Sequence, residues 1–184
     1  MTPTLRSARL ILTPYTPMLV TQEHVDWLND RELVQYSEQR YREHTLRTQL
    51  DYVRHLAPSH IWVIRCNGVD IGTISAYTDD RNRTANLGIL LGNRVYHGQG
   101  FAAEAWETVM QWLFSEGIHK VEAGCQANNA PMRRLAITTG MTLEGEIPGH
   151  FKVGDEYRDL CLYGRFARDS HPSLWEGVYA SSAT

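Results

Sequence analysis

Residues 87–116 constrain the fold of this chain more than any other stretch. Leu87-Gly88-Ile89-Leu90-Leu91 is a short, unbroken apolar run and reads as a buried strand. Phe101, Ala105, Val109, Trp112 and Leu113 then recur on one face of a helix predicted over residues 101–116. Between the two lies Asn93-Arg94-Val95-Tyr96-His97-Gly98-Gln99-Gly100. Gly98 and Gly100 let the backbone approach a ligand closely, and the first turn of the helix offers unpaired N–H groups and the positive end of a dipole. A strand, a glycine turn and a helix in this order can hold phosphate oxygens. The same spacing also serves as a plain tight turn.

Two familiar phosphate loops are excluded at once. No Gly-Lys-Ser/Thr follows the turn, and Ala103 stands where a dinucleotide fingerprint needs its third glycine. The downstream context is more informative. Residues 119–127 alternate like a strand. Asn129 then caps a short helix with Pro131 in its first turn, and Gly140 ends it.

The remainder divides into short elements. Residues 9–15 read as a first strand and residues 23–28 as a helix capped by Thr21 or Thr16. Residues 37–44 read as a loop. Thr45 opens a second helix with Leu46, Leu50, Val53 and Leu56 at helical spacing. Residues 61–66 and 69–77 flank Asn67-Gly68, whose two positive φ angles suit a type I′ hairpin turn. Residues 142–146 and 157–164 read as two last strands joined by a loop over 148–156.

A chain of 184 residues with no internal repeat is one ordinary domain. Its net charge of −3, with both signs interspersed, argues against a nucleic-acid partner. No apolar run spans a membrane and no signal-peptide core precedes the first strand, so the expected location is cytoplasmic. Cys66, Cys125 and Cys161 are odd in number and widely spaced in apolar contexts, which fits reduced core residues; no metal site is expected.

Taken together, these motifs resemble the GNAT family of acyl-CoA N-acyltransferases, in the branch of ribosomal-protein N-terminal acetyltransferases and their small-molecule relatives. The family's phosphate motif, Gln/Arg-x-x-Gly-x-Gly/Ala, corresponds to His97-Gly98-Gln99-Gly100-Phe101-Ala102. Its second signature, Asn-x-x-Ser before a helix ending in Gly-Phe, corresponds to Asn129-Ala130-Pro131-Met132 and Gly140-Met141. Here His, Met and Met replace Gln/Arg, Ser and Phe.

The resemblance covers residues 8–166 as a single domain and leaves 167–184 as a C-terminal tail. It implies a mixed α/β (α+β) fold with helices on both faces of a twisted mixed sheet of about seven strands. That sheet splays open at the acyl-CoA site. Acetyl-CoA is then the co-substrate and an amine-bearing small molecule the acceptor. The N–H groups of Gly98, Gln99, Gly100, Phe101, Ala102 and Ala103 would clamp the pyrophosphate, and His97 would add a hydrogen bond. Ile89, Leu90 and Leu91 would line the pantetheine arm, and Asn129 would orient the thiol end. A homodimer is expected from the family habit and from Trp175 and Tyr179 in the tail.

Catalytic groups transfer less directly. Relatives carry Tyr four residues before Gly-Phe, where this chain has Ala136, and Glu on the strand before the glycine turn, where it has Asn86. Glu122, His150 and Tyr157 are the replacement candidates. Gln39, Arg40 and Tyr41 are candidates for holding the acceptor, with the arginine suited to a phosphate and the tyrosine to a sugar ring. An amino-sugar nucleotide, a protein N-terminus and a non-catalytic acyl-CoA-binding role all remain open.

Overall fold

Asn67 and Gly68 adopt φ angles of 50° and 82°, as a type I′ turn requires, and so fix the register of the central hairpin. Strand β3 (His60–Cys66) pairs antiparallel with β4 (Val69–Asp79), and β4 pairs with β5 (Thr84–Leu90). This is a computed structural model, and it describes residues 1–55 and 60–167. On the other edge β2 (Leu10–Pro14) joins β3, and a short β1 (Leu5–Arg6) joins β2. The far half comprises β6 (Lys120–Gln126), β7 (Thr142–Val153) and β8 (Glu156–Phe166). Among the described residues the sheet has eight strands in the order β1-β2-β3-β4-β5-β6-β8-β7, and only β5 and β6 run parallel. The extra strand is β1, whose two residues are too few to show a period.

The predicted loop over 148–156 is instead mostly strand. β7 and β8 run on to a tight turn at Gly154-Asp155, and Pro148-Gly149-His150 form a bulge between the pairs Ile147↔Leu160 and Phe151↔Arg158. Gly149, at φ 61°, donates its N–H to Asp159 Oδ1 at 2.8 Å. Proline and glycine mark a bulge here, where their local signal is the same as that of a loop.

Among the described residues four α-helices pack on the sheet. Thr21 caps α1 (Gln22–Asn29), and a Thr45/Thr48 capping box opens α2 (Leu46–Arg54). Leu56 lies outside the described residues, as do Trp175 and Tyr179, on which the expectation of a dimer rests. Residues expected as a loop form a single 3₁₀ turn, Glu38–Tyr41, capped by Ser37. Helix α3 (Phe101–Ser115) supplies the main core. It buries Phe101, Ala105, Trp106, Val109, Met110 and Leu113 against Leu12, Ile64, Ile74, Leu87 and Val121. Trp106 and Met110, which the predicted face omitted, are fully buried, and Trp112 packs at the margin of the same core against Trp62. Helix α4 (Ala130–Thr138) completes that face.

The opposite face carries a smaller core of Tyr15, Ile61 and Val63 with Leu19, Val20 and Val53. Helices α1 and α2 therefore cover β2–β4 only, and Asn86, Gly124 and Leu162 stay exposed on β5, β6 and β8. A buried polar chain anchors α1 on this face. Tyr15 Oη meets His24 Nδ1 at 2.9 Å, His24 Nε2 lies 3.2 Å from Asp70, and Asp70 accepts from Arg65 at 2.5 Å. Burial pushes the Tyr15 phenol up to about 12 and pushes His24 below its ordinary 6.5.

Two outcomes follow from this packing. In Gly72→Ala the new Cβ would stand 2.3 Å from the Leu90 carbonyl oxygen, a backbone atom that cannot rotate away. Denaturant titration should show a loss of roughly 1–3 kcal/mol. Below pH 6.5 the unfolded chain takes up a proton at residue 24 that the folded chain refuses. Stability should thus be retained above that pH and fall below it, by at most about 1.4 kcal/mol per unit. His60 is shifted in the same direction, so the readout is the difference between wild type and His24→Gln, whose profile should be flatter.

Candidate functional site

Strands β5 and β6 share only three pairs, Thr84↔Lys120, Ala85↔Val121 and Asn86↔Glu122. Beyond them β5 stays with β4 through Leu90, while β6 stays with β8 through Gln126. The sheet opens there into a wedge, and the flank of β5 from Leu87 to Leu90 has no strand beside it. A free strand flank presents N–H and C=O groups from alternate residues. His97 Nε2 meets the Leu91 carbonyl at 2.7 Å, so Ile89, two residues earlier, turns its polar groups the same way.

The glycine turn closes the mouth of the wedge. Gly98 and Gly100 have φ angles of 72° and 81°, and residues 97–100 are exposed. A Cβ on Gly98 would meet nothing within 4 Å. The first bond within α3 runs from the Glu104 N–H to the Gly100 carbonyl at 3.0 Å, so the amides of Phe101, Ala102 and Ala103 are unpaired among the described residues. They point outward with the positive end of a fifteen-residue helix behind them. The turn is braced from within by Gln99 Nε2 on the Val95 carbonyl at 2.5 Å. It is braced from α1 by Arg94, which pairs with Asp30 and Glu32, each at 2.7 Å.

Arg9 and Glu104, which the sequence did not single out, flank this turn. Their ion pair is 2.6 Å long, and the Arg9 guanidinium lies 4.1 Å from the Phe101 ring centre. Burial alone would raise the Glu104 carboxyl, but hydrogen bonds from Ser7 and Arg9 hold it below its ordinary value. Asn129 accepts from the Met132 N–H at 3.1 Å and so spends its side-chain oxygen on capping α4.

The structure separates the three catalytic candidates. Glu122 stands at the apex of the wedge on the open face, opposite Asn86, and is held by Lys120 at 2.9 Å. Lys120 also reaches Glu144 at 2.7 Å. Tyr157 lies seven positions along β8 from Gly164, the partner of Glu122, or about 23 Å along the strand. Tyr157 and His150 are exposed on the outer part of the β7–β8 hairpin. The position that carries Tyr in relatives, Ala136, is fully buried against the α3 core.

The acceptor candidates sit together at the rim. Arg40 spends Nη1 on the Ser37 carbonyl at 2.8 Å and Nη2 on Tyr41 Oη at 2.7 Å, and its side chain is only 12% exposed. Tyr41 Oη donates in turn to the Lys152 carbonyl, joining this loop to the β7–β8 hairpin. The Gln39 carbonyl accepts from His44. Two further groups complete the open face. Buried Gln126 reaches the Tyr36 carbonyl at 3.3 Å, and Tyr52 and Tyr77 join their hydroxyls at 3.0 Å beside Asn86. Alternation along β4 and β6 places Tyr77 and Gln126 on one face, a signal that becomes usable only once the strand order is known.

The comparisons agree with this geometry. Residues 9–142 match the acetyltransferase (GNAT) domain family, and the chain belongs to that family. A Bacillus subtilis relative, the uncharacterized N-acetyltransferase YnaD, is 29% identical over 102 residues, or 55% of this chain. The chain spans 59% of that relative's length. Among solved structures, the ribosomal-protein α-N-acetyltransferase RimL in complex with coenzyme A superposes with a TM-score of 0.80 at 19% identity. That match covers 89% of this chain and 98% of the other. A GNAT-family acetyltransferase from Bacillus anthracis gives 0.78 at 20% identity, over 89% and 98%. The microcin self-immunity acetyltransferase MccE, solved with acetyl-CoA and AMP, gives 0.76 at 17% identity, over 88% and 94%. These likenesses establish the fold.

Proposed function

We propose that this protein is an N-acetyltransferase that moves the acetyl group of acetyl-CoA directly to the primary amine of a small acceptor. The observation that carries this reading is the wedge between β5 and β6 opening onto a turn with three unpaired amides. Family membership supports it, as do neighbours solved with coenzyme A or acetyl-CoA.

The residues present fit that co-substrate. The amides of Phe101, Ala102 and Ala103 would hold the diphosphate, with Gly98 and Gly100 keeping side chains away from it. Ile89 would bond the amide-bearing arm as a strand neighbour does. The bound thioester supplies the acyl group, and the chain supplies position and proton handling. The acceptor would enter over the uncovered face, whose floor includes Gly88 and Gly124. Glu122 is the carboxylate at the apex of the wedge, one strand across from the usual position, where this chain has Asn86. It would take the amine proton directly or through one water. The Tyr41–Lys152 bridge closes the rim between the acceptor loop and the hairpin, which favours a small molecule over a polypeptide. Gln39, Arg40 and Tyr41 form that wall. An amino-sugar nucleotide is the proposed acceptor class, and cytoplasmic acetyl-CoA the donor.

Three measurements test this. Gly100→Val places a branched side chain at φ 81° on the diphosphate side, and calorimetry should show acetyl-CoA affinity reduced tenfold or more; unchanged affinity rejects the site. Glu122→Gln should lower kcat by about a hundredfold with little change in KM for acetyl-CoA. A thiol-release assay should show turnover of amino-sugar nucleotides and little with short peptides. Turnover of peptides alone overturns the small-acceptor reading, and binding without turnover of any amine points to a non-catalytic role.

A further inference from the structure

Resting on the assignment of the glycine turn to the diphosphate of coenzyme A, we propose that Arg9 is a further ligand of that diphosphate. It is aimed there by Glu104. Arg9 comes from the tight turn between β1 and β2, remote in sequence from the phosphate motif and on the other side of the α3 N-terminus. Its contacts leave a defined remainder. Nε donates to Glu104 Oε2 at 2.6 Å and Nη1 to the Gln99 carbonyl at 3.1 Å. Nη2 has no partner among the described residues and lies 3.6 Å from where a Cβ on Gly100 would stand. A guanidinium carries five N–H donors, so three are unused at the lip of the turn whose amides are themselves unpaired. The side chain is 45% exposed, open to a ligand there.

Glu104 explains the aim. Its Oε1 accepts from Ser7 Oγ and from the Arg9 N–H, both at 2.7 Å, and its Oε2 holds Arg9 Nε. The carboxylate thus fixes the backbone and the head of Arg9 together, and the Phe101 ring supports the guanidinium plane from one side. A carboxylate in the first turn of α3 would by itself oppose an anion at the free amides. Paired with Arg9 it becomes neutral overall, and the unused N–H groups turn the pair into a donor. Without Arg9, the site would offer a diphosphate three amides and an uncompensated negative charge nearby.

A purely structural role is separable from this one. Arg9→Gln and Glu104→Gln both break the ion pair, but Glu104→Gln keeps an oxygen for Ser7 and the Arg9 N–H and leaves the guanidinium in place. Calorimetric titration with acetyl-CoA should show Arg9→Gln about tenfold or more weaker than wild type, with a shallower dependence on salt. Arg9→Lys should recover part of the loss, since it restores charge but not the fork. Glu104→Gln, which keeps the guanidinium but loosens its hold on Nε, should weaken binding by less than Arg9→Gln does. The Arg9→Gln loss should persist with 3′-dephospho-coenzyme A, which keeps only the diphosphate. Equal affinity of Arg9→Gln and wild type overturns the proposal, as does equal weakening by both glutamine variants or a loss that vanishes with the dephospho ligand. Failure of the wild type to bind acetyl-CoA at all would instead reject the assignment of the turn.

Discussion

The early end of the β5–β6 ladder is the constraint on which the rest of the site depends. A parallel pair would normally continue until one strand ran out, because each unmade rung leaves backbone donors and acceptors to be satisfied elsewhere. Here β5 has four residues and β6 four residues past the last shared pair, and each stays bonded to its outer neighbour. The inner flanks have no strand beside them among the described residues. His97 consumes one carbonyl at the open end, which limits the exposed polar edge to the depth of the wedge. Everything else in the site is arranged around this gap: amides at its mouth, a carboxylate at its apex, an uncovered sheet face above it.

The asymmetry of the two cores makes the gap accessible. Helix α3 is buried along most of one side and carries Trp106 at its centre, so that face of the sheet is fully roofed. On the other side α1 and α2 are short, and a polar chain from Tyr15 to Arg65 anchors α1 among few apolar contacts. The result is half a roof. Trp27 fills the space beside Gly92, where any Cβ would stand 2.0 Å from the indole. That contact sets α1 against the end of β5. Arg94 then ties the segment just past α1 to the glycine turn through Asp30 and Glu32.

Much of this was legible in the sequence where a short range of residues carried it. Asn67-Gly68, the Asn129 cap and the Gly98/Gly100 turn each require particular backbone angles, and those residues supply them. The type of each long element followed from its period. What escaped depended on distant pairing. Pro148-Gly149-His150 carry the chemistry of a loop, and only the ladder on either side makes them a bulge. Arg9 looks like the start of an alternating strand until the fold sets it against Glu104, ninety-five positions on. The predicted face of α3 omitted Trp106 and Met110, which broaden the apolar stripe to one side and are both fully buried.

The missing tyrosine and glutamate of relatives have a common physical reading. Ala136 is enclosed where α4 packs on the α3 core, so the helix gains close packing at the position where relatives carry tyrosine. Asn86 removes a carboxylate from β5, and Glu122 supplies one on the adjoining strand at the same rung. The move has an electrostatic consequence. A carboxylate at residue 86 would have no lysine on its own strand, whereas Glu122 shares Lys120 with Glu144. Lys120 is held charged above its ordinary range by the two carboxylates despite partial burial. On the reading proposed above, Lys120 would hold the Glu122 carboxylate at the apex of the wedge, and its place on the open face would let water relay a proton away. On that proposed reading, positioning in the wedge would carry most of the rate, with one carboxylate held by Lys120 in place of the usual pair of groups.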